Sequence, residues 1–454
     1  MKVVIASRAT HGRPVCGLVM LTAIIAHGPL AAANPVDAFG FGARSAAMAS
    51  AQTAASDDGG ANYYNPAILA TFDEIRFDLG YQLAAPSLTV NDLDVGVDTS
   101  RGITTSLNVP GRIAGTRVAL GAGLFLPDQH ITRTRTLASS KPRFVVYDNR
   151  PQRLFIAANL SLEITDRLFI GGGLAYMSST RGTVLLDGRV GFPSAEDSDL
   201  DLAIDVDLET IRYPQAGVFY RATPWLDLAV SYRGGFTLTL DQIFTVRGDV
   251  GVEGREPVVE NGLFELQTVS RDLFQPTQVS AGAWARITRS LSLAFDLQWQ
   301  RWSEFDNPAA RVDIMLDAGQ FNDLIDIPEA PELPEASFHD IIVPRVGLEW
   351  TASRSPGRDI HLRTGYSFEL SPVPAQFGET NFIDNHKHNI ALGAGVVLRD
   401  LGEILLEPLS LDAFVALTVL GGRDHIKLSP IDPVGDYRSD GHILQAGVSS
   451  RWRF

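Results

Sequence analysis

The chain has 454 residues, 45% of them apolar and 20% charged, with a formal net charge of −15. That charge excludes the basic footprint of a nucleic-acid-binding protein; the wealth of aromatic and aliphatic residues excludes intrinsic disorder, and a single cysteine excludes a disulfide framework. Past residue 33 no apolar run reaches the ~20 residues of a membrane-spanning helix.

In chain order, the first element is an export signal. Lys2, Arg8 and Arg13 precede an apolar stretch from Val15 to Ala26, and Ala31-Ala32-Ala33 supplies the small-residue cleavage site. Cleavage is expected after Ala33. Removing three basic residues and no acids leaves a mature charge of 35 − 53 = −18. Cys16 falls inside the signal, and Pro14-Val15 before it does not fit lipoprotein processing.

Residues 34–70 are rich in Ala, Gly and Ser and show no alternation. Asp57-Asp58-Gly59-Gly60 and Asn65-Pro66 mark turns. Phe39, Phe41, Tyr63, Tyr64, Ile68 and Leu69 give the stretch too many apolar anchors for a free tail. A compact plug is expected here.

From residue 71 to 454 the pattern changes to period two. Leu291, Leu293, Phe295, Leu297 and Trp299 alternate with Ser292, Ala294, Asp296, Gln298 and Gln300. A helix, with its period of 3.6, does not produce this pattern. An apolar face and a mixed face in segments of about 10 residues is the signature of a transmembrane β-barrel. Fourteen such segments are expected: 73–85, 104–114, 116–127, 150–164, 167–186, 201–221, 225–246, 264–287, 290–304, 340–352, 359–370, 387–399, 408–421 and 439–454. Short connections at 115, 165–166, 222–224, 288–289 and 352–358 alternate with long ones, the longest being 305–339. Short turns belong on the periplasmic side and long loops outside. The fold class expected is all-β, a 14-stranded antiparallel barrel with an N-terminal plug in its lumen.

Strand parity points Phe125, Phe155, Phe169, Phe219, Trp284 and Phe414 inward. Such a lining suits a hydrophobic ligand or a packed plug. Arg153, Arg233, Arg345 and Arg363 share that direction and are candidates either for a ligand carboxylate or for lumen acids such as Glu163, Glu349 and Glu369. The acids Glu196, Asp197, Asp199, Asp201, Asp205, Asp207 and Glu209 read as a solvated strand top or a calcium site. His386 and His388 lack a third ligand, so no metal site and no cofactor are expected. No nucleophile-elbow, dinucleotide or P-loop motif occurs, and no enzyme is expected.

The last strand alternates His442, Leu444, Ala446, Val448, Ser450, Trp452 and Phe454 with Ile443, Gln445, Gly447, Ser449, Arg451 and Arg453. An alternating end with a terminal Phe454 resembles the closing strand and assembly signal of bacterial outer-membrane barrels. Asn65-Pro66-Ala67 closing the Gly/Ala/Ser stretch, Trp302-Ser303-Glu304-Phe305, and Ser371-Pro372-Val373-Pro374 before Asp384 and the strand from Lys387 complete a wider match. In that order the motifs resemble the FadL/TodX outer-membrane transporters of long-chain fatty acids and other hydrophobic compounds. The resemblance covers nearly all of the mature chain and is poorest from 186 to 275.

The resemblance implies a monomeric barrel with a hatch that includes Tyr63, Tyr64, Asn65, Pro66 and Ala67. It implies a ligand captured by outer loops, held in an apolar lumen and released sideways through a kinked third strand, here carrying Gly121, Gly123 and Pro127. Its partners would be fatty acids or hydrocarbons, outer-membrane lipid and lipopolysaccharide, and the barrel assembly machinery. A surface receptor or secretion partner is the alternative role, and a polar-solute porin a third.

Overall fold

The computed structural model describes residues 36, 39–129, 140–147, 153–191, 199–251, 256–309, 311–324, 326–327, 332–399 and 407–454. The expected signal peptide, its cleavage site and Glu196–Asp197 lie outside the described residues.

Fourteen wall strands follow in order. They are β1 (Arg76–Val90), β2 (Ser100–Ile113), β3 (Thr116–Pro127), β4 (Phe155–Thr165), β5 (Leu168–Gly191), β6 (Asp199–Thr223), β7 (Leu226–Arg233 continued by Phe236–Gly251), β8 (Val259–Gln275 continued by Thr277–Arg286), β9 (Leu291–Arg301), β10 (Ile341–Arg354), β11 (Arg358–Glu369), β12 (Lys387–Leu398), β13 (Leu409–His425) and β14 (Tyr437–Arg453). Each wall strand pairs antiparallel with the next. β1 and β14 close the ring in register from Arg76↔Arg453 to Val90↔Ser439. Closure removes the edges that a lipid-exposed sheet cannot leave unpaired.

Burial alternates as the sequence predicts. On β13, Leu411, Val415, Leu417 and Val419 are exposed, whereas Ser410, Asp412, Phe414, Ala416 and Thr418 are buried. Large apolar side chains stand on the outside of nearly every wall strand. Burying them in hydrocarbon is worth roughly 25 cal/mol per Å², so a membrane, not water, is the solvent for this face.

The short connections lie at one end, at 114–115, 166–167, 224–225, 287–290 and 355–357. The tightest has positive φ at both central residues, Ala114 (50°) and Gly115 (87°). This is the twist a two-residue hairpin requires.

Two strands depart from the expected continuous segments. β8 is interrupted at Pro276, which has no N–H for the ladder. β7 breaks at Gly234-Gly235 and changes partners. Below the break it pairs with β6, from Leu226↔Thr223 to Arg233↔Gln215. Above it, Gln242–Gly251 runs parallel to Gly182–Gly191 of β5. The upper halves of β5 to β8, with Arg311–Asp317, therefore form a sheet that rises outside the barrel.

Residues 39–71 lie across the bore. A short helix α1 (Ala43–Ala47) is followed by α2 (Ala61–Tyr64) and a 3₁₀ turn, Pro66–Thr71. Their polar groups bond to strands around the whole circumference. Gln82 of β1 donates to Gly40 O (3.0 Å), Asn62 to Asn108 of β2 (2.7 Å) and Asn159 of β4 to Asn62 O (3.0 Å). Thr53 N–H donates to Asp296 of β9 (2.8 Å), and Arg44 pairs with Glu349 of β10 (3.1 Å). Small residues let this segment approach the wall. A Cβ on Gly217 would sit 1.9 Å from Asn65 Oδ1, and one on Gly365 would sit 2.2 Å from Met48 C.

Candidate functional site

The Asn65-Pro66-Ala67 motif explains itself locally. Asn65 caps the 3₁₀ turn by accepting the Ala67 N–H (3.1 Å), and Pro66 takes the first position, where no donor is missed. The Asn65 amide also donates to Thr53 O (2.9 Å) and Val218 O of β6 (3.2 Å). Tyr63 is clamped by Arg233. The guanidinium donates to the phenol oxygen (2.7 Å) and to the carbonyl (2.6 Å), and lies 3.7 Å over the ring. Tyr64 accepts the Phe41 N–H and donates to Ser50 Oγ, both at 3.0 Å.

The six aromatic residues expected to point inward do so, and all are buried. They pack against the amino-terminal segment. Phe125 and Phe155 join Phe41 and Tyr63, with Tyr63 and Phe155 5.7 Å apart edge to face. Phe169, Phe219 and Trp284 join Ile68, Leu69 and Phe72, and Phe414 meets the alanines of α1. Arg153 is wholly buried and donates to Ser178 O (3.2 Å).

Among the described residues, no gap interrupts the paired part of β3, where the sideways opening was expected. β3 pairs with β2 from Thr116 to Pro127 and with β4 from Val118 to Phe125, in unbroken register. Gly121 and Gly123 instead make room for the segment inside. A Cβ on Gly121 would lie 2.2 Å from Asn62 Oδ1, and one on Gly123 3.2 Å from Asn62 Cβ. Pro127 closes the ladder opposite Gly102.

Above the amino-terminal segment lies a cavity of about 70 Å³. Its apolar wall is Phe39, Val146, Tyr147, Trp302 and Ile443. Its polar wall includes Gln278, Gln300, Arg345, Lys387 and Asn389. Gln300 was legible from parity, whereas Val146 and Tyr147 come from the long β3–β4 connection, which has no period to read. The charges differ in state. Lys387 is neutralised by Glu369 (2.7 Å) and Asp384 (3.1 Å). Arg363 spans Glu349 (2.6 Å) and Asp412 (2.5 Å). Arg345 is half-buried and donates to the neutral Gln298 amide (2.8 Å), with no carboxylate in salt-bridge range among the described residues.

Over this cavity sits an apolar cap. Trp302 and Phe305 of the Trp-Ser-Glu-Phe motif pack with Phe274 and Phe338, and the Phe305–Phe338 rings stack at 4.3 Å. The Ser371-Pro372-Val373 segment is folded into the same cap. Ser371 donates to Asp384 O (2.8 Å), and Arg423 donates to Val373 O and Asp384 O (both 2.9 Å). His386 accepts the Ser371 N–H (3.0 Å), and His388 meets the Tyr366 hydroxyl (2.9 Å). The described acids Asp199–Asp207 are spread along the upper half of β6. Phe454 stands exposed at the short-turn rim, bonded through its backbone to Ile75.

The family model for outer membrane protein transport proteins (OMPP1/FadL/TodX) matches residues 22–400. The chain belongs to this family. Its place is the outer membrane, and the family is one of transport proteins, not enzymes. Solved structures of the same fold include a Pseudomonas aeruginosa FadL homologue, at 14% identity over 91% of this chain and 98% of that one, with a TM-score of 0.58. The Ralstonia pickettii toluene transporter TbuX matches at 15% identity over 92% and 99%, TM-score 0.51. The CymD monoaromatic hydrocarbon channel matches at 14% over 93% and 99%, TM-score 0.54. A sequence search of the curated proteins finds no match. At these identities the neighbours establish the fold alone.

Proposed function

We propose that this family member carries out passive uptake of hydrophobic compounds, and that it prefers those ending in a carboxylate, such as long-chain fatty acids, over plain hydrocarbons. The observation that carries this reading is Arg345, a lumen cation met by a neutral amide and placed beneath an apolar cap. A guanidinium in low dielectric gains most from a bidentate carboxylate. The cap offers the chain of such a molecule a surface to replace water. Residues 39–71 act as the hatch, whose displacement enlarges a cavity of about 70 Å³ toward the several hundred Å³ a ligand needs. The outward apolar face seats the barrel, as a monomer, in outer-membrane lipid and lipopolysaccharide, and Phe454 addresses it to the barrel assembly machinery.

The resemblance puts release sideways through the wall. At β3 that requires separating a ladder that is paired without a break from Val118 to Phe125. This unbroken wall favours the second reading, a receptor or assembly partner that holds a ligand without passing it. Uptake decides between them. Cells expressing the protein are expected to accumulate radiolabelled dodecanoate faster than cells without it, and Arg345→Gln should lower that rate about tenfold while leaving toluene uptake unchanged. Equal accumulation with and without the protein contradicts the transport reading and leaves the receptor.

A further inference from the structure

The short-turn mouth of the barrel holds a second cavity, on the far side of residues 39–71 from Arg345. Its volume is about 700 Å³, inside the range of small-molecule sites. We infer that this periplasmic mouth is a binding site for an anionic amphiphile, a molecule with a carboxylate head and an apolar body, and that it serves as the exit station for the substrate proposed above.

Both halves of such a ligand find partners. Six guanidinium groups line the cavity against three carboxylates, Asp57, Asp227 and Glu349. The three acids are already spoken for: Arg76 pairs with Asp57 (2.8 Å), Arg286 with Asp227 (2.6 Å) and Arg44 with Glu349 (3.1 Å). Arg354 reaches Asp359 (3.9 Å) outside the lining. Arg221 and Arg289 have no carboxylate within salt-bridge distance among the described residues. Arg289 is exposed in the turn between β8 and β9, and Arg221 is half-buried with its guanidinium 5.1 Å from the centre of the Phe169 ring. The cavity therefore carries a surplus of positive charge in a chain whose formal net charge is −15. The apolar partner is the roof and side wall, formed by Phe72, Phe219 and Trp284 with Trp225 at the rim. Trp225 is 54% exposed, in the turn between β6 and β7.

The placement gives an axial route: apolar cap, Arg345, residues 39–71, then this mouth. Guanidinium groups on both sides of the segment, Arg345 above and Arg221 with Arg289 below, keep a carboxylate partnered at each end of its passage. No opening in β3 is needed.

The inference rests on the transport reading but is tested separately from it. The probe is a brominated dodecanoate, which quenches nearby indoles, added to the detergent-purified full-length protein. Trp225 emission is isolated as the difference between the native protein and Trp225→Phe. Saturable quenching of Trp225 is expected. Arg221→Gln combined with Arg289→Gln should weaken the apparent affinity at least tenfold, and the paired Arg221→Lys, Arg289→Lys variant, which keeps the charge, should retain most of it. Brominated dodecanol should bind at least tenfold more weakly, and inorganic phosphate in tenfold excess should not displace the probe. Absence of saturable Trp225 quenching overturns the site, as does quenching indifferent to the charge change. Displacement by phosphate reduces it to a plain anion site and overturns the amphiphile. Arg345-dependent uptake without Trp225 quenching refutes this site alone, whereas quenching without uptake refutes the transport reading and leaves the site.

Discussion

Replacing Arg233 by Ala should loosen the amino-terminal segment while leaving the barrel closed. Arg233 stands on β7 at the last residue paired with β6. It makes two hydrogen bonds to Tyr63 (2.7 and 2.6 Å), one to Gln278 (3.0 Å) and a stacked contact at 3.7 Å. A hydrogen bond from a charged donor contributes about 1.5–3 kcal/mol, and a desolvated cation over a ring contributes about 2 kcal/mol. These contributions overlap, so the whole clamp is taken at ~4 kcal/mol, near the top of single-substitution effects. At tenfold per 1.4 kcal/mol, the undocked population rises about a thousandfold. Hydrogen exchange read by mass spectrometry measures this directly. Amides of residues 60–65 should lose about three orders of magnitude of protection, with those of β1 and β14 unchanged. Arg233→Lys should not rescue, because an ammonium cannot bridge the phenol and the carbonyl in one plane. Equal protection of 60–65 in the variant and the native protein refutes the reasoning, since the clamp would then hold nothing.

Other outcomes follow from the same contacts. Gly217→Ala places a Cβ within 1.9 Å of Asn65 Oδ1, so it should weaken docking of the 3₁₀ turn by about 1–3 kcal/mol, seen as faster exchange at residues 65–70. Asp57, although its side chain is 55% exposed, is held below the ordinary carboxylate range: partial loss of solvation opposes its charge, but Arg76, Arg451 and Arg44 outweigh it. A depressed pKa stabilises the docked segment above the unfolded value and is lost only as pH falls through the lowered one, so exchange protection around Asp57 should persist at pH 4. Deleting Phe454, whose side chain is 67% exposed and so contributes little to packing, should lower the yield of barrel in the outer membrane without changing the melting of what is inserted. Protein yield in outer-membrane fractions checks it.

The strands were legible because a lipid solvent outside and a packed lumen inside impose one rule on every wall residue. Leu411 and Asp412 could be assigned to opposite faces from parity alone. The partner switch of β7 was not, because Gly234-Gly235 signals a break without saying where the strand goes next. The inward aromatics were found, but parity cannot tell an open lumen from a filled one. Phe155 meets Tyr63, not a vacancy, because the chain brings its own rings into the bore. Gly121 and Gly123 were read as a bend; they are paired and serve contact with Asn62, a use that only the inner neighbour reveals. Arg345 and Arg363 look alike in sequence. Only the structure separates the arginine held by two carboxylates from the one held by an amide.

Uptake by the axial route requires substrate to pass residues 39–71 within the bore. Asn62→Cys with Gly123→Cys tests it most directly, since their Cβ atoms would lie 3.2 Å apart, near the ~3.5 Å lower bound for a disulfide. The only native cysteine, Cys16, falls in the expected signal peptide. Oxidation should pin the segment to β3 and stop dodecanoate uptake, and reduction should restore it. Uptake that continues at the native rate with the disulfide formed contradicts the account.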